Sequence, residues 1–516
     1  MTIPLMSDEW ISETEVANAS LVILVGLVKP ETISEEALHF QKGVLHLGSE
    51  STEKTSSSAR FVNIDAPENW LREQINDFLL LDYDTAPVVK VSKTLEEEYK
   101  AKYSRVIGFI LQEIDTTLRA RRTRDETGFF KQLQIYENLP FYLKQRIPDE
   151  WRQLCQESMV MVVGAGPSLD KTLPLISTLA IKPFIIATDS SLKALKKASI
   201  LPNFVVSIDS EKTFDSCSYP GFTPGFAILS SQSNSTWSRM YKDKKAYISG
   251  RVVTEDFLGE KGIGKTSVQA INNAGLTAIQ LANSLDPSAI LLIGMDLSGG
   301  GNGEVRYAKN TDREHIQIHA EAYHKIPGNF TNEVLTPFFS DWHETSQLCS
   351  KISQKRLVIN FNDRGAQLDG VTLIHPDAFP EMRSALEESL KSFSPKDETL
   401  LQQRRSLNRH GLTQILNNLT IKCDLIWKSL PSEKDETKVV SEKLLELFSD
   451  REISCLLGDF SFSIMPKIVK GKTISQEQGL LIIKQLKQLI WKLEDAILRA
   501  EPEDDFIYRF LTEEFH

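Results

Sequence analysis

Residues 161–171 read MVVGAGPSLDK: an apolar run, then Gly-Ala-Gly-Pro-Ser, then the opening of an amphipathic stretch. After a strand, two glycines let the chain turn sharply and let backbone N–H groups approach a phosphate closely. Pro167 suits a first helical turn, where its missing N–H would have no partner anyway. Ser168 adds a hydroxyl donor, and the helix N-terminus adds partial positive charge. Gly164, Gly166, Pro167 and Ser168 are therefore candidates to hold a nucleotide phosphate. A plain strand-to-helix turn is the competing reading.

Two familiar nucleotide loops compete on the letters. Gly164-x-Gly166 starts a dinucleotide fingerprint, and Asp189 stands about where a ribose-binding acid belongs. The third position of that fingerprint should be Gly or Ala but is Leu169. GEKGIGKT, residues 259–266, satisfies the Walker A pattern, and AILLIGMD resembles a Walker B strand ending at Asp296. A P-loop must follow a buried strand, whereas the preceding VTEDFL is polar and acidic. Lys265, with Thr266 and Ser267 beside it, is instead a candidate contact to an anionic substrate ahead of a helix start. A solvated loop lysine is the alternative.

Reaction at a hydroxyl needs a base, and such a base contributes roughly 10²- to 10⁴-fold. Five of the nine histidines, His315, His319, His324, His343 and His375, crowd one region. Asp296 could orient the base, bind the nucleotide or cap a loop.

These residues need a scaffold. SMVMVVGAG, PFIIATD, NFVVSID, AILLIGMD and RLVIN read as strands, and SLDKTLPLISTLA, SSLKALKKASI and SVQAINNAGLTAIQLANSL as helices. Helical crossovers between apolar strands imply parallel, buried strands connected right-handedly. The expected fold is α/β: a central doubly wound, mostly parallel sheet over residues 151–394, with its ligand beyond the carboxyl ends of the strands. Gly164, Asp189, Ser190, Ser207, Asp209 and Asp296 fall at or just past such ends. Residues 1–150 mix short strands (LVILVGL, GVLHLG, FVNID) with one long helix, as a small α/β domain would. SFSPKDE reads as a linker, and residues 395–516 as a helical domain. There Ser475 and Gln478 could form a capping box. Ile482, Leu486, Leu489, Leu493 and Ile497 step along one helix face, which either closes a bundle, on itself or on a second copy, or forms a groove for a partner helix.

The net charge of −11 argues against a nucleic-acid partner. Five isolated cysteines signal neither a zinc site nor a disulfide framework, which fits a reduced, cytoplasmic compartment. The apolar run Leu21–Val28 is too short to span a membrane and follows acidic residues, unlike a signal peptide.

VVGAGPSLDKTL, IIATDSSLKALKKASILPNFVVSID, SVQAINNAGLTAIQLA, ILLIGMDLS and VINFNDRGAQLDGV occur in this order over about residues 135–380. Together they resemble the domain shared by bacterial motility-associated factors and archaeal 6-hydroxymethylpterin pyrophosphokinases. The GPSL turn is also similar to one in bacterial sialyltransferases. The three-part layout resembles that of motility-associated factors, whereas the archaeal kinases lack such flanks. The chain departs from the family in a long stretch after Asp296 and in a plainer N-terminal strand end, VGLVKPE.

The resemblance implies a sialyltransferase-like Rossmann variant that transfers a pseudaminic- or legionaminic-type nonulosonic acid from a CMP donor to flagellin serines and threonines. It implies His319, in IHAE, as the catalytic histidine beside Asp296. Ser207, Asp209, Asp189 and Ser190 would then meet ribose or cytosine. The alternatives are an ATP-dependent pterin diphosphokinase, with Mg²⁺ held by Asp209 and Asp296, and a non-catalytic flagellin-binding protein.

Overall fold

The structure is a computed structural model that describes residues 10–14, 16, 18–49, 59–82, 85–93, 100–299, 305–316, 324–337, 339–391, 407–469 and 474–501. The chain packs as two compact units, residues 1–123 and 124–516. The division falls inside a helix, earlier than the boundary near 150 that the sequence suggests.

The first unit holds a five-stranded sheet. Its strands are β1 (Trp10–Glu13), β2 (Leu21–Val25), β3 (Gly43–Gly48), β4 (Ala59–Asn63) and β5 (Val88–Ser92), in the order β1-β5-β2-β3-β4. β5, β2, β3 and β4 run parallel, and β1 closes one edge antiparallel to β5. β2 is apolar at every position because it is buried on both faces. It ends at Val25, before the expected Leu27, where Gly26 takes a φ of 108°. The helix Lys100–Lys144 runs on from this unit, and Ile110 and Ile114 join the core beneath the sheet.

The second unit is built on eight parallel strands. These are β6 (Met159–Val163), β7 (Phe184–Thr188), β8 (Phe204–Ser207), β9 (Phe226–Ser230), β10 (Lys245–Ile248) and β11 (Ala289–Ile293), and, after a separate hairpin of β12 (His324–Pro327) and β13 (Glu333–Thr336), β14 (Leu357–Phe361) and β15 (Thr372–Ile374). The order is β10-β9-β8-β7-β6-β11-β14-β15. β6 is paired on one side to β7 and on the other to β11, both parallel, so the order in which strands are added across the sheet reverses there. That is the topological switch point at which open α/β sheets hold ligands. Separate apolar clusters cover the two faces, as the doubly wound reading requires.

The C-terminal helices Arg409–Ser429, Thr437–Ser449, Arg451–Val469 and Gln476–Ala500 share the core of one sheet face. The Leu456 carbonyl accepts from Tyr136 Oη at 2.8 Å, and from Gln132 and Thr254, which ties this region to the sheet. The Ser475–Gln478 capping box forms. Leu486, Leu489 and Leu493 are fully buried, so the stripe closes the bundle, and the alternative of an open groove there is corrected. The segment SFSPKDE, residues 392–398, lies outside the described residues. Among the described residues no helix is long and apolar enough to cross a membrane.

Candidate functional site

The Gly-Ala-Gly turn leaves β6 and meets the turn that leaves β11. Gly164 N donates to Ile293 O at 2.8 Å, and Gly166 N to Gly294 O at 2.8 Å. Ser168 N and Oγ both donate to Asp296 Oδ2, at 3.0 and 2.9 Å. The expectation that the N–H groups of Gly166 and Ser168 face a phosphate is therefore corrected: both are engaged within the fold. The glycines answer a different need. A Cβ on Gly164 would stand 2.3 Å from Gly294 O, and one on Gly166 would stand 2.0 Å from Asp296 Oδ2. Two strand ends approach so closely that neither tolerates a side chain.

What this contact positions is Asp296. It is 2% exposed, and its Oδ1 has no hydrogen-bond partner among the described residues. Burial pushes its carboxyl up to about 6. The Ser168 bonds, the nearby Asn362 and the Arg364 charge pull it back only in part. A carboxylate with that affinity, one oxygen anchored by Ser168, can exchange a proton near neutral pH.

Asp296 stands between two clefts. The smaller, about 130 Å³, lies over the switch point and is lined by Gly164, Gly166, Asp189, Ser190, Lys212 and Asn273, among others. Lys212 supplies its positive charge. Its ammonium lies 3.5 Å from Asp189 Oδ1 and 4.0 Å from Asp209 Oδ2. Burial disfavours the charge, but Asp189, Tyr307 and Asp209 more than offset it and hold the group above its usual value. Asp189 is in turn fixed by Ser190 N and Oγ on one oxygen and by Ser207 Oγ on the other. The helix Ala274–Ser284 points its start at the same cleft. Asn273 caps it through Leu276 N at 2.7 Å, while Asn273 Nδ2 has no partner among the described residues. That helix start, rather than the one after Ser168, presents free donors to an anion.

The larger cleft, about 640 Å³, is bounded by the β12–β13 hairpin and by the loop after β14. Pro167, Asp296, Phe330, Leu335, Asp363 and Arg364 are in its wall. Arg364 holds Asp363 through two bonds of 3.0 Å.

Residues 133–301 match the family model of 6-hydroxymethylpterin diphosphokinase MptE-like proteins. No curated protein matches the sequence. Among solved structures, a Maf glycosyltransferase from Magnetospirillum magneticum is similar at 12% identity and a TM-score of 0.45, over 96% of this chain and 82% of that one.

The matched stretch spans β6 to β11, and so includes Asp189, Lys212, Asn273 and Asp296 but not Arg364. Within it, the remaining expected residues scatter. Ser207 and Asp209 line neither cleft; Ser207 acts through Asp189. Asp209 lies 4.0 Å from the Lys212 ammonium but does not share the lining of either cleft with Asp296. Lys265, Thr266 and Ser267 do not reach this site either; they line a separate cleft beside β10. The helix expected from Ser267 begins only at Ala274, so Lys265 does not stand at its start. GEKGIGKT follows the helix Val253–Glu260 rather than a strand, which removes the P-loop context. His319 lies outside the described residues. His315, His324, His343 and His375 line neither cleft.

Sequence reasoning missed Lys212, Asn273, Arg306, Tyr307 and Arg364. Asn-Ala-Gly at 273–275 carried a usable cap signal inside what read as continuous helix. Arg306 and Arg313 both lie over the Tyr307 ring, at 5.1 and 5.2 Å, and only the fold reveals it.

Proposed function

We propose that this protein is a glycosyltransferase that moves a nonulosonic acid from a CMP-activated donor to serine or threonine hydroxyls of flagellin. The carrying observation is Asp296: a buried carboxylate of raised affinity for a proton, at the meeting of an anion-friendly cleft and a larger one. The five linked motifs shared with motility-associated factors and the MptE-like domain support the reading. In it, the donor's nucleotide lies in the smaller cleft, with Lys212 and the start of the helix Ala274–Ser284 facing the leaving phosphate. The acceptor hydroxyl enters from the larger cleft. Its oxygen bonds to the anomeric carbon through an oxocarbenium-like transition state, the bond to the phosphate breaks, and CMP departs. The hydroxyl proton passes to the Asp296 carboxylate. An acceptor modified before export places the reaction in the cytoplasm.

The test is nucleotide preference, followed by product. A ligand at about 100 times its dissociation constant adds roughly 2.7 kcal/mol to stability. CMP and CTP should raise the melting temperature without Mg²⁺, and flagellin co-expressed with the protein and a donor supply should gain intact mass. Stabilisation by ATP with Mg²⁺ alone, with a pterin diphosphate formed, would establish the diphosphokinase instead. Flagellin bound with no mass gained would leave a non-catalytic partner.

A further inference from the structure

The Walker-like loop has no part in the central site, yet it builds a cleft of its own. About 130 Å³ is enclosed by Arg146, Gly262, Gly264, Lys265, Thr266 and Ser267, with Ile147, Asp149, Ile263 and Leu407 completing the wall. It sits at the carboxyl end of β10. Ile147 N and Tyr247 O bond at 2.9 Å, and Thr266 Oγ1 accepts from Ser249 N at 2.7 Å. β10 stands five strand positions from β11, roughly 24 Å at the usual interstrand spacing. The two clefts are therefore distinct.

Arg146 makes this cleft unusual. It is 6% exposed, and no carboxylate lies within ion-pair distance of it among the described residues. Its Nη2 donates to Gly264 O at 2.5 Å, its guanidinium lies 5.2 Å from the centre of the Tyr142 ring, and its Nε has no hydrogen-bond partner among the described residues. A buried cation without a counter-ion is costly. Glu255, the nearby buried acid, is occupied by Ser231 Oγ and Gly250 N, and burial pushes it up to about 7, so it is an incomplete counter-charge. Lys265 brings a second cation to the wall, held by Asp256 at 2.7 Å and by the Gly250 carbonyl. The exposed Ser267 hydroxyl adds a donor.

We infer that the cleft between Arg146 and the loop 262–267 is a second binding site, for a phosphate-type oxyanion, separate from the central one. The anion would lie between the Arg146 guanidinium and the Lys265 ammonium. It could be free phosphate or the phosphate of a monoester; both present the same charged oxygens.

The test uses the full chain with CMP present in excess, so that the central cleft is occupied, and titrates inorganic phosphate, glycerol 3-phosphate and ATP by calorimetry. Saturable binding of phosphate, weakened about tenfold or more by Lys265→Ala and by Arg146→Gln, is the expected result. Tighter binding of glycerol 3-phosphate than of inorganic phosphate identifies the monoester as the source, and the reverse identifies free phosphate. Because Arg146→Gln removes a buried group and can impair folding, Lys265→Ala, on an exposed loop, decides. Absence of saturable binding by all three anions, or equal affinity in wild type and Lys265→Ala, overturns the inference.

Discussion

Two glycine-rich segments of this chain look alike as text and differ in every physical respect. Gly164–Ser168 leaves a buried strand at the centre of the sheet, and its glycines are demanded by close neighbours, the Gly294 backbone at Gly164 and the Asp296 carboxylate at Gly166. Gly259–Thr266 leaves a helix at the far side of the sheet, and Gly259, Gly262 and Gly264 have open space where a Cβ would go. The first segment turns its N–H groups inward to Gly294 and Asp296. The second brings Lys265 to the wall of a cleft. A glycine can answer a close approach, as at Gly164 and Gly166, or a left-handed backbone, as at Gly262 with its φ of 100°, and the letters alone do not say which.

The largest effect should come from closing the first gap. Gly166→Val places a branched side chain against Asp296 and Gly294, so the fold itself should lose about 3 kcal/mol or more by chemical denaturation. Denaturation within 0.5 kcal/mol of wild type would mean that the two turns can separate, and the tight-contact account would fail.

Asp296→Asn sharpens the comparison from the other side of the same contact. It keeps an acceptor for Ser168 but removes the base, so transfer should fall at least 100-fold. Wild-type activity should rise with pH through about 6, where the carboxyl ionises, and the residual activity of the variant should lack that limb. Stability carries the opposite sign. The folded group binds its proton more tightly than the unfolded group does. Its contribution is therefore fully present below the unfolded value near 4 and is lost as pH rises through about 6. Denaturation of wild type and variant between pH 4 and 7 should diverge in that window, and parallel curves would contradict a buried carboxyl.

Asn273→Ala should cost about 1 kcal/mol through the lost helix cap. It should also weaken CMP binding, since the loss of the cap loosens the helix start that faces the leaving phosphate in the proposed reading. Loss of stability with unchanged CMP affinity, measured by calorimetry, would make the residue a cap alone.

The smallest effect belongs to the second segment. Gly259→Ala, in the last turn of the helix Val253–Glu260 with nothing near its missing Cβ, should stabilise by a few tenths up to about 1 kcal/mol. A loss exceeding 0.5 kcal/mol would show that this loop needs its glycine after all.

Much of the scaffold was legible. Apolar runs bounded by polar turns placed β6, β7, β8 and β11, because a strand buried on both faces needs apolar residues at every position. Asp189 and Asp296 were legible for the same reason: the first polar residues past such strands stand at the ligand end of the sheet. The helix before β11 was read too long, because Ser267–Asn273 is apolar and polar in a helix-like mixture while Thr266 and Asn273 pin it in another shape. The C-terminal stripe was read correctly as one helix face, but its period could not say what covers that face. The structure covers it with the other helices of its bundle.

The sequence by itself therefore determined the elements, their parallel arrangement and the end of the sheet at which a ligand would lie, since those follow from local periodicity and connection handedness. Only the tertiary structure decided which polar groups remain free at that end. Ser168 and Asp296 are 128 residues apart, and their bond turns an apparent phosphate loop into the support of an acid. Hydrogen-bond satisfaction in a buried site is settled by groups distant in the chain, and no local pattern records it.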